Sequence, residues 1–567
     1  MFPINLLLSI IVIVGVIFYK FVYPKKNPNP LALLIIISIL PIISVFREGV
    51  YESGDFALHI YRAIDFYNSL LEGHAFPSWA GNLNASFGYP LFIFINPLPY
   101  YLISFFHFVG FSFIGSMKLF LSLSFLASGI FMYLFSKELF KKNKAAFISS
   151  IFYQFAPYHL IDQHFRVTVG EITIYATLPL LLYASLLFIR KRNLQTFLFT
   201  SLCCAFLVLS HQAMAAFAVP IATIFMFFIS FKNKKVFLLF LLALGLGLLS
   251  SFYALFPYLA YSKYVIAASY THIIFLPFQD YILSPWQFGF LFQGPEGEIV
   301  TPIGIMHIFI FLATLLTIQK TQKYTKLFAF LTVVSIAFVL LLLPFSKQIW
   351  DKVPLIHLLI ISSRLVLFLS LFLSLIAGIF STRYTNMILL SLVTIVVVLS
   401  TSLNWGSRNL IRQNDTQLIQ NVPQSTNMGE GWGIGIPKWK KPQEFEKKQA
   451  SRSSELINGN GLLTQRVNKS TYKSFIVYAT TATQLLSNTW FFPGWKAYIN
   501  GRPAVIEKSI HLNEGRIVIN IPKGLSKVEL IYSDLPTHSF LKYFSAFFFT
   551  VSTLVIISRL VRQKRRN

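Results

Sequence analysis

Asp55, His59 and Arg62 lie four and then three residues apart in the run Gly54-Asp55-Phe56-Ala57-Leu58-His59-Ile60-Tyr61-Arg62. On a helix that spacing places a carboxylate, an imidazole and a guanidinium on one face. The run follows an apolar stretch, Leu31 to Phe46, so the three groups would stand at a lipid boundary. Two readings of Asp55 follow from position alone. It could take a proton in a reaction, or it could cap a helix N-terminus as Asp commonly does. For His59 and Arg62 the plain alternative is an exposed helix face against lipid headgroups.

A second group, Asp162, His164, Arg166 and Glu171, occupies a short turn between two apolar runs. Ionisable residues between spans mark function when they face a cavity; an internal Arg166–Glu171 ion pair is the structural alternative. Asp162, His164 or Glu171 could also hold a divalent metal ion, since carboxylate and imidazole suit several metals, although their spacing matches no ligand signature. No cofactor is otherwise indicated. Arg364 sits beside Ser362 and Ser363 at the start of an apolar run, on the side where cations are rare. An anion such as a lipid-linked phosphate would explain it, because Arg binds phosphate bidentately; snorkelling to ordinary headgroups is the alternative. His211, beside Gln212 at a span end, reads as a candidate contact or as a satisfied core histidine.

The composition supplies the frame for these groups. Of 567 residues 55% are hydrophobic and 12% charged, with 60 Phe and a mean hydropathy of +0.63, which describes a polytopic membrane protein. Runs able to cross about 30 Å of hydrocarbon recur at 4–22, 31–46, 116–136, 145–160, 172–189, 195–211, 213–231, 236–259, 303–319, 327–345, 362–380, 387–403 and 541–560. They predict about thirteen transmembrane helices.

Basic clusters such as Lys137/Lys141/Lys142/Lys144, Arg190/Lys191/Arg192 and the tail Arg559/Arg562/Lys564/Arg565/Arg566 all reach the cytoplasmic side if the stretch 92–112 does not cross. That stretch carries Asn96, Pro97, Pro99 and His107, which suits a broken juxtamembrane helix. The N-terminus is then external, the C-terminus cytoplasmic, and 47–115 one long external loop. The net charge of +27 (48 minus 21) follows from membrane topology and does not call for nucleic acid.

The expected organisation is a transmembrane domain 1–403, an external β-sandwich-like domain 404–540, and a final helix with a basic cytoplasmic tail, 541–567. Within 404–540 the runs Tyr472 to Ala479, Gln484 to Phe492, Trp495 to Ile499, Arg516 to Ile521 and Lys527 to Tyr532 are punctuated by Pro493-Gly494, Asn500-Gly501 and Lys523-Gly524. Such runs and turns predict antiparallel strands, with Trp490 and Trp495 in a β-core. The stretch Gly429-Glu430-Gly431-Trp432-Gly433 is too glycine-rich to assign. Cys203 and Cys204 are adjacent in one span and offer no disulfide framework or metal spacing. Tyr261, Tyr264, Tyr270, His272, Trp286 and Phe288 in 260–302 could cover a cavity or anchor at the interface.

Several motifs taken in order carry a resemblance: Gly54 to His59, Phe76-Pro77-Ser78-Trp79, Gly88-Tyr89-Pro90-Leu91-Phe92, Pro97-Leu98-Pro99-Tyr100-Tyr101, Pro157-Tyr158 through Arg166 and Glu171, Ser210-His211-Gln212, Ser363-Arg364, and Trp490 through Tyr498. Together they resemble the YfhO-like bacterial membrane proteins often labelled "6-pyruvoyl-tetrahydropterin synthase-related", a label that implies no pterin chemistry here. That group in turn resembles the GT-C superfamily of glycosyltransferases. The resemblance implies a plasma-membrane enzyme that moves a sugar from a polyprenyl-phosphate donor to an envelope glycan, lipid or protein acceptor, with inversion, on the external face. It implies Asp55 as the base; by their positions His59, Arg62, Arg166, Glu171, His211 and Arg364 are the expected substrate or phosphate contacts. A lipid or polysaccharide transporter, or a non-catalytic envelope-assembly protein of the same fold, are the rival readings. A transporter would need polar or Gly/Pro breaks deep in several spans, and Val236 to Leu249 and Leu327 to Leu343 are nearly featureless.

Overall fold

Each of the thirteen apolar runs is helical in the computed structural model, which describes residues 2–230, 233–266, 274–318, 323–353, 359–406, 409–422, 435–439, 453–508 and 515–566. Tyr270, His272 and the Gly429–Gly433 stretch lie outside these residues. Among the described residues, 8 helices are long and apolar enough to cross a membrane, and the pair Lys234–Ser250 and Phe252–Ala260, bent by 50°, makes a ninth candidate. Three shorter apolar helices are Pro30–Phe46, Leu194–Ser210 and Ile305–Thr317. The run 145–160 differs from a simple span: the helix Asn143–Gln154 stops short of Pro157, and Pro157–Ile161 starts a new one. Proline disfavours helical geometry in the residue before it and cannot donate to the previous turn.

Ser362–Arg383 is the centre of the bundle, its most apolar window wholly buried, and Val169–Lys191 is nearly as enclosed. Small and hydroxylated residues let these helices approach. Ser370 and Ser374 return their hydroxyls to the backbone one turn back, at 2.8 and 2.6 Å, so their polarity is satisfied inside the helix and close packing supplies the association.

The stretch 92–112 becomes a 3-10 turn, Leu91–Ile93, and a helix, Pro97–Phe108. Twelve residues rise only about 18 Å, too little for a bilayer core of about 30 Å. Its start is fixed to the bundle: Gln212 Nε2 donates to the Ile95 carbonyl at 3.1 Å and the Gln212 N–H to Asn96 Oδ1 at 3.3 Å.

A two-stranded ribbon, β1 (Val50–Tyr51) and β2 (Leu410–Ile411), joins the first loop to the chain after the twelfth run. The following helix, Asp415–Asn421, places the Asp415 carboxylate on the N–H groups of Phe113 and Ile114. That carboxylate caps the helix Phe113–Phe140 from across the chain. Residues 410–421 therefore pack with the first loop and the bundle.

The sandwich comprises β3 (Glu455–Ile457), β4 (Gly461–Asn468), β5 (Tyr472–Ala479), β6 (Thr483–Trp490), β7 (Trp495–Ile499), β8 (Arg502–Ala504), β9 (Glu507–Lys508), β10 (Arg516–Ile521) and β11 (Gly524–Tyr532). One antiparallel sheet runs β3-β6-β10-β9, the other β4-β5-β11-β7-β8. Pro493-Gly494 carries the chain from one sheet to the other, and Asn500-Gly501, both at positive φ (49° and 78°), makes the β7–β8 hairpin.

Trp495 enters the sandwich core as expected, but Trp490 does not. Trp490 turns out to the first loop and stacks on Phe87, with centroids 5.7 Å apart and planes 8° from parallel. Its place in the sandwich core is taken from outside: Trp79 of the first loop is fully buried, 5.3 Å from the Trp495 ring and 5.2 Å from that of Tyr532. The loop and the sandwich thus share one apolar core. Trp79→Ala should destabilise the protein by about 3–5 kcal/mol, the usual cost of removing a buried aromatic ring, visible as a lower unfolding temperature of the full chain in detergent. An unchanged temperature would show that the loop and sandwich unfold independently.

Candidate active site

The helix Phe56–Leu71 begins where the backbone of Gly54 and Asp55 is pinned: their N–H groups donate to the carbonyls of Phe165 (2.8 Å) and Arg166 (2.9 Å). Gly54 eases this approach, since a Cβ there would lie 3.1 Å from the Arg166 carbonyl oxygen, a tight contact. The Asp55 carboxylate does not cap the helix it starts. Ser53 Oγ takes the Phe56 N–H instead, at 3.2 Å, so the capping alternative for Asp55 fails.

His59 and Arg62 share the Asp55 face, and that face points into protein, 8% and 7% exposed. It is not a lipid-facing surface. His59 Nδ1 is 2.8 Å from the Tyr100 hydroxyl, while Arg62 lies against the phenols of Tyr89 and Tyr100 and interacts electrostatically with Asp55. Arg62 makes no carboxylate ion pair among the described residues, and its Nε has no hydrogen-bond partner.

The turn between spans forms one π-helical turn, Asp162–Arg166, closed by the Val167 N–H on the Asp162 carbonyl at 2.8 Å. Val167 follows at φ 57°, a costly conformation for a β-branched residue. Such turns recur at functional sites, and here the turn aims Arg166 back at the helix Val169–Lys191. Arg166 donates to Asp162 Oδ1 (2.8 Å), to the Tyr158 hydroxyl (2.6 Å) and to Glu171 Oε1 (3.1 Å). Glu171 also accepts from Arg364 Nε at 2.9 Å and from the Tyr158 hydroxyl at 2.8 Å.

Glu171 is thus an enclosed carboxylate held by two guanidiniums and a phenol, and its lone pairs are engaged. The ion pair with Arg166 exists, as the structural alternative had it. Arg364 is not snorkelling: its Nε serves Glu171 and an Nη donates to the Leu359 carbonyl at 2.8 Å. His211 borders the same cluster, its Nδ1 accepting the Met214 N–H at 3.3 Å. Gly170 permits this contact, because a Cβ there would lie 2.7 Å from His211 Cδ2 and 2.6 Å from Asn96 Nδ2.

The metal candidates do not converge. Among the described residues no group of three or more His, Cys, Asp or Glu side chains could hold an ion. Asp162 Oδ1 is taken by Arg166 and by Thr168 Oγ1 (2.9 Å), Glu171 by its clamp, and the Nε2 of buried His164 has no hydrogen-bond partner among the described residues. Sequence reasoning assigned no role to Tyr158, Tyr89, Tyr100 or Thr168; the first three stand inside the motifs quoted above.

Three cations (Arg62, Arg166, Arg364) and three acids (Asp55, Asp162, Glu171) therefore meet at one end of the bundle core. Asp162 and Glu171 are spent on Arg166 and Arg364. Asp55 remains: half-buried, with no side-chain hydrogen bond among the described residues, and under the fields of Arg166, Arg62 and Arg364. Burial pushes its carboxyl above the ordinary carboxylate range, against the pull of those three cations.

The cryo-EM structure of the arabinofuranosyltransferase AftD from Mycobacteria is similar at 17% identity and TM-score 0.41, over 68% of this chain and 27% of that one. The Archaeoglobus fulgidus oligosaccharyltransferase is similar at 14% identity and TM-score 0.40, over 68% of this chain and 57% of that one. An uncharacterized protein of Lactococcus lactis subsp. cremoris (strain MG1363) is 26% identical over 355 residues, 57% of this chain and 55% of its own length. The chain thus spans about half the length of that relative. The model of the "6-pyruvoyl-tetrahydropterin synthase related domain; membrane protein" family matches residues 92–411, more than half of the 567, and the chain belongs to that family of membrane proteins.

Proposed function

We propose that the protein is an inverting membrane glycosyltransferase that takes a sugar from a polyprenyl-phosphate-linked donor and transfers it to a cell-envelope acceptor on the external face of the plasma membrane. The observation that carries this reading is the Asp55 carboxylate, unengaged beside three guanidiniums whose other acidic neighbours are already paired. A phosphodiester-linked sugar has a weakly basic leaving group, which needs positive charge more than a proton donor. The acceptor hydroxyl needs a base.

In this reading Asp55 takes the acceptor proton as the oxygen attacks the anomeric carbon. The bond from that carbon to the phosphate oxygen breaks with its electron pair, and the released phosphate is stabilised by Arg62 and Arg364. One carboxylate suffices, unlike the pair needed for hydrolysis with acid and base. Arg166 and Glu171 act through the others: they fix Arg364 and the turn that holds Gly54 and Asp55. The hydrogen bonds of the buried clamp close within the protein, so the cluster is preformed before substrate arrives.

Orientation is tested first. Cys203 and Cys204 are buried, so single cysteines at exposed Ala75 and Lys191 can be read against a silent background. A membrane-impermeant thiol reagent should label Ala75→Cys on intact cells and leave Lys191→Cys unlabelled; the reverse pattern would put the site on the cytoplasmic face.

Asp55→Asn should lower transfer about a hundredfold to ten-thousandfold, the usual range for losing a general base, with unchanged elution and unfolding temperature. Near-normal turnover, assayed by mass spectrometry of surface glycans and lipid-linked sugars, would overturn the assignment. The pH profile gives an independent reading. A base works only when deprotonated, so turnover should fall as pH drops through the Asp55 pKa, and burial places that fall above the ordinary carboxylate range.

Arg364→Lys keeps the charge and loses the planar fork. We expect KM for the donor to rise roughly tenfold, with kcat changed less. Loss confined to kcat would instead place Arg364 at the transition state alone.

A further inference from the structure

A cavity of about 900 Å³ opens at the other end of the bundle from the Asp55 cluster. Glu171 begins the helix Val169–Lys191, and near its far end Arg190 pairs with Glu138, the neighbour of the cavity residue Lys137. From 171 to 190 the helix rises about 28 Å. The cavity lies between the first helix, Phe2–Val22, the helix Pro30–Ile42 and the helix Met387–Ser400, with Tyr133, Leu134 and Phe147 behind. Its walls are aliphatic and aromatic, for example Val12, Val16, Leu33, Leu390 and Val398.

Its mouth is different. Lys20, Lys137 and Lys144 stand there with Asn27, Asn29 and Asn143, and among the described residues no Asp or Glu lines the cavity. Among the described residues none of the three ammonium groups meets a carboxylate. Lys20 Nζ donates to the Pro24 (2.8 Å) and Lys26 (3.1 Å) carbonyls and to Asn27 Oδ1 (3.2 Å), Lys144 Nζ to the Thr385 carbonyl (2.8 Å), and Lys137 sits over the Tyr133 ring at 5.9 Å. Glu138 is already held by Lys141 and Arg190.

We propose that this cavity binds one anionic diacyl phospholipid, with its phosphate at Lys20, Lys137 and Lys144 and its acyl chains along the first helix. Two features select that occupant. Unneutralised cations at one mouth of an apolar slot match a headgroup that carries a phosphate above hydrocarbon. The depth matches as well: from Lys20 to Ser9, which also lines the cavity, the helix rises about 16 Å, half of a hydrocarbon core of about 30 Å. The slot therefore houses the chains of a single leaflet. The volume lies within the usual range of ligand cavities, about 300–1,000 Å³. This inference does not depend on the glycosyltransferase reading.

The full chain, purified in detergent and titrated with phosphatidylglycerol or phosphatidylcholine, can be examined by native mass spectrometry. We expect one phosphatidylglycerol retained several-fold more tightly than phosphatidylcholine. Lys137→Gln and Lys144→Gln should each weaken phosphatidylglycerol retention about fivefold, and Val16→Trp, which fills the slot without touching the charges, should displace both lipids. Circular dichroism and elution volume confirm that the variants are folded. Equal retention of the two lipids, unchanged retention in both lysine variants, or unchanged retention in Val16→Trp would each overturn the proposal.

Discussion

A fully buried carboxylate, Glu171, organises the candidate site. An ionised carboxylate removed from water is costly by several kcal/mol unless charge and hydrogen bonds replace its hydration. Glu171 obtains them from Arg166, from Arg364 and from the Tyr158 hydroxyl. Each donor comes from a different element: the π-helical turn Asp162–Arg166, the 3-10 turn Ser362–Leu365 before the central helix, and the short helix Pro157–Ile161. Removing either arginine would leave an uncompensated charge in the interior, so the three elements are tied to one another.

That constraint extends to Asp55. The same π-turn that delivers Arg166 offers its carbonyls to the N–H groups of Gly54 and Asp55. The start of the helix Phe56–Leu71 is therefore placed by the clamp, and Asp55 stands beside the arginines without joining their ion pairs. Burial of Asp65, one turn beyond Arg62 on that helix, adds a second restraint. Asp65 is enclosed and accepts from Asn82 Nδ2 at 2.6 Å, with its carboxyl pushed up to about 7 by burial against that hydrogen bond. It fixes the first loop over the helix that carries the site.

The sandwich reaches the site through this loop. Glu72 accepts the Ser470 N–H at 2.8 Å, and the Trp490 N–H donates to the Phe87 carbonyl at 3.2 Å. At the start of the final helix, Lys542 Nζ joins Asp534 (2.6 Å) and Ser78 Oγ (2.6 Å). Polar and apolar contacts together make the loop a shared layer between bundle and sandwich, so the strands and the site are parts of one packed body although nearly 400 residues separate them in the chain, as in the 398 between Glu72 and Ser470.

Features that depend on local pattern were legible in the residue order. Apolar runs located the helices because a segment in hydrocarbon must satisfy its own backbone and expose apolar side chains. Alternation and Asn-Gly turns located β5, β6, β7, β10 and β11, while β3 and β4, exposed at sheet edges with little alternation, gave no such signal. Helical spacing also put Asp55, His59 and Arg62 on one face. Tertiary structure alone decided how charges are shared. Asp162, Arg166, Glu171 and Arg364 were all visible as unusual residues, but which acid is consumed in an ion pair and which remains unengaged depends on a contact spanning 193 residues, Arg364 to Glu171. Nor could periodicity show that Trp490 leaves the sandwich and Trp79 enters it. Side-chain alternation assigns a residue to a face; what covers that face is fixed only when distant segments compete for the same buried volume.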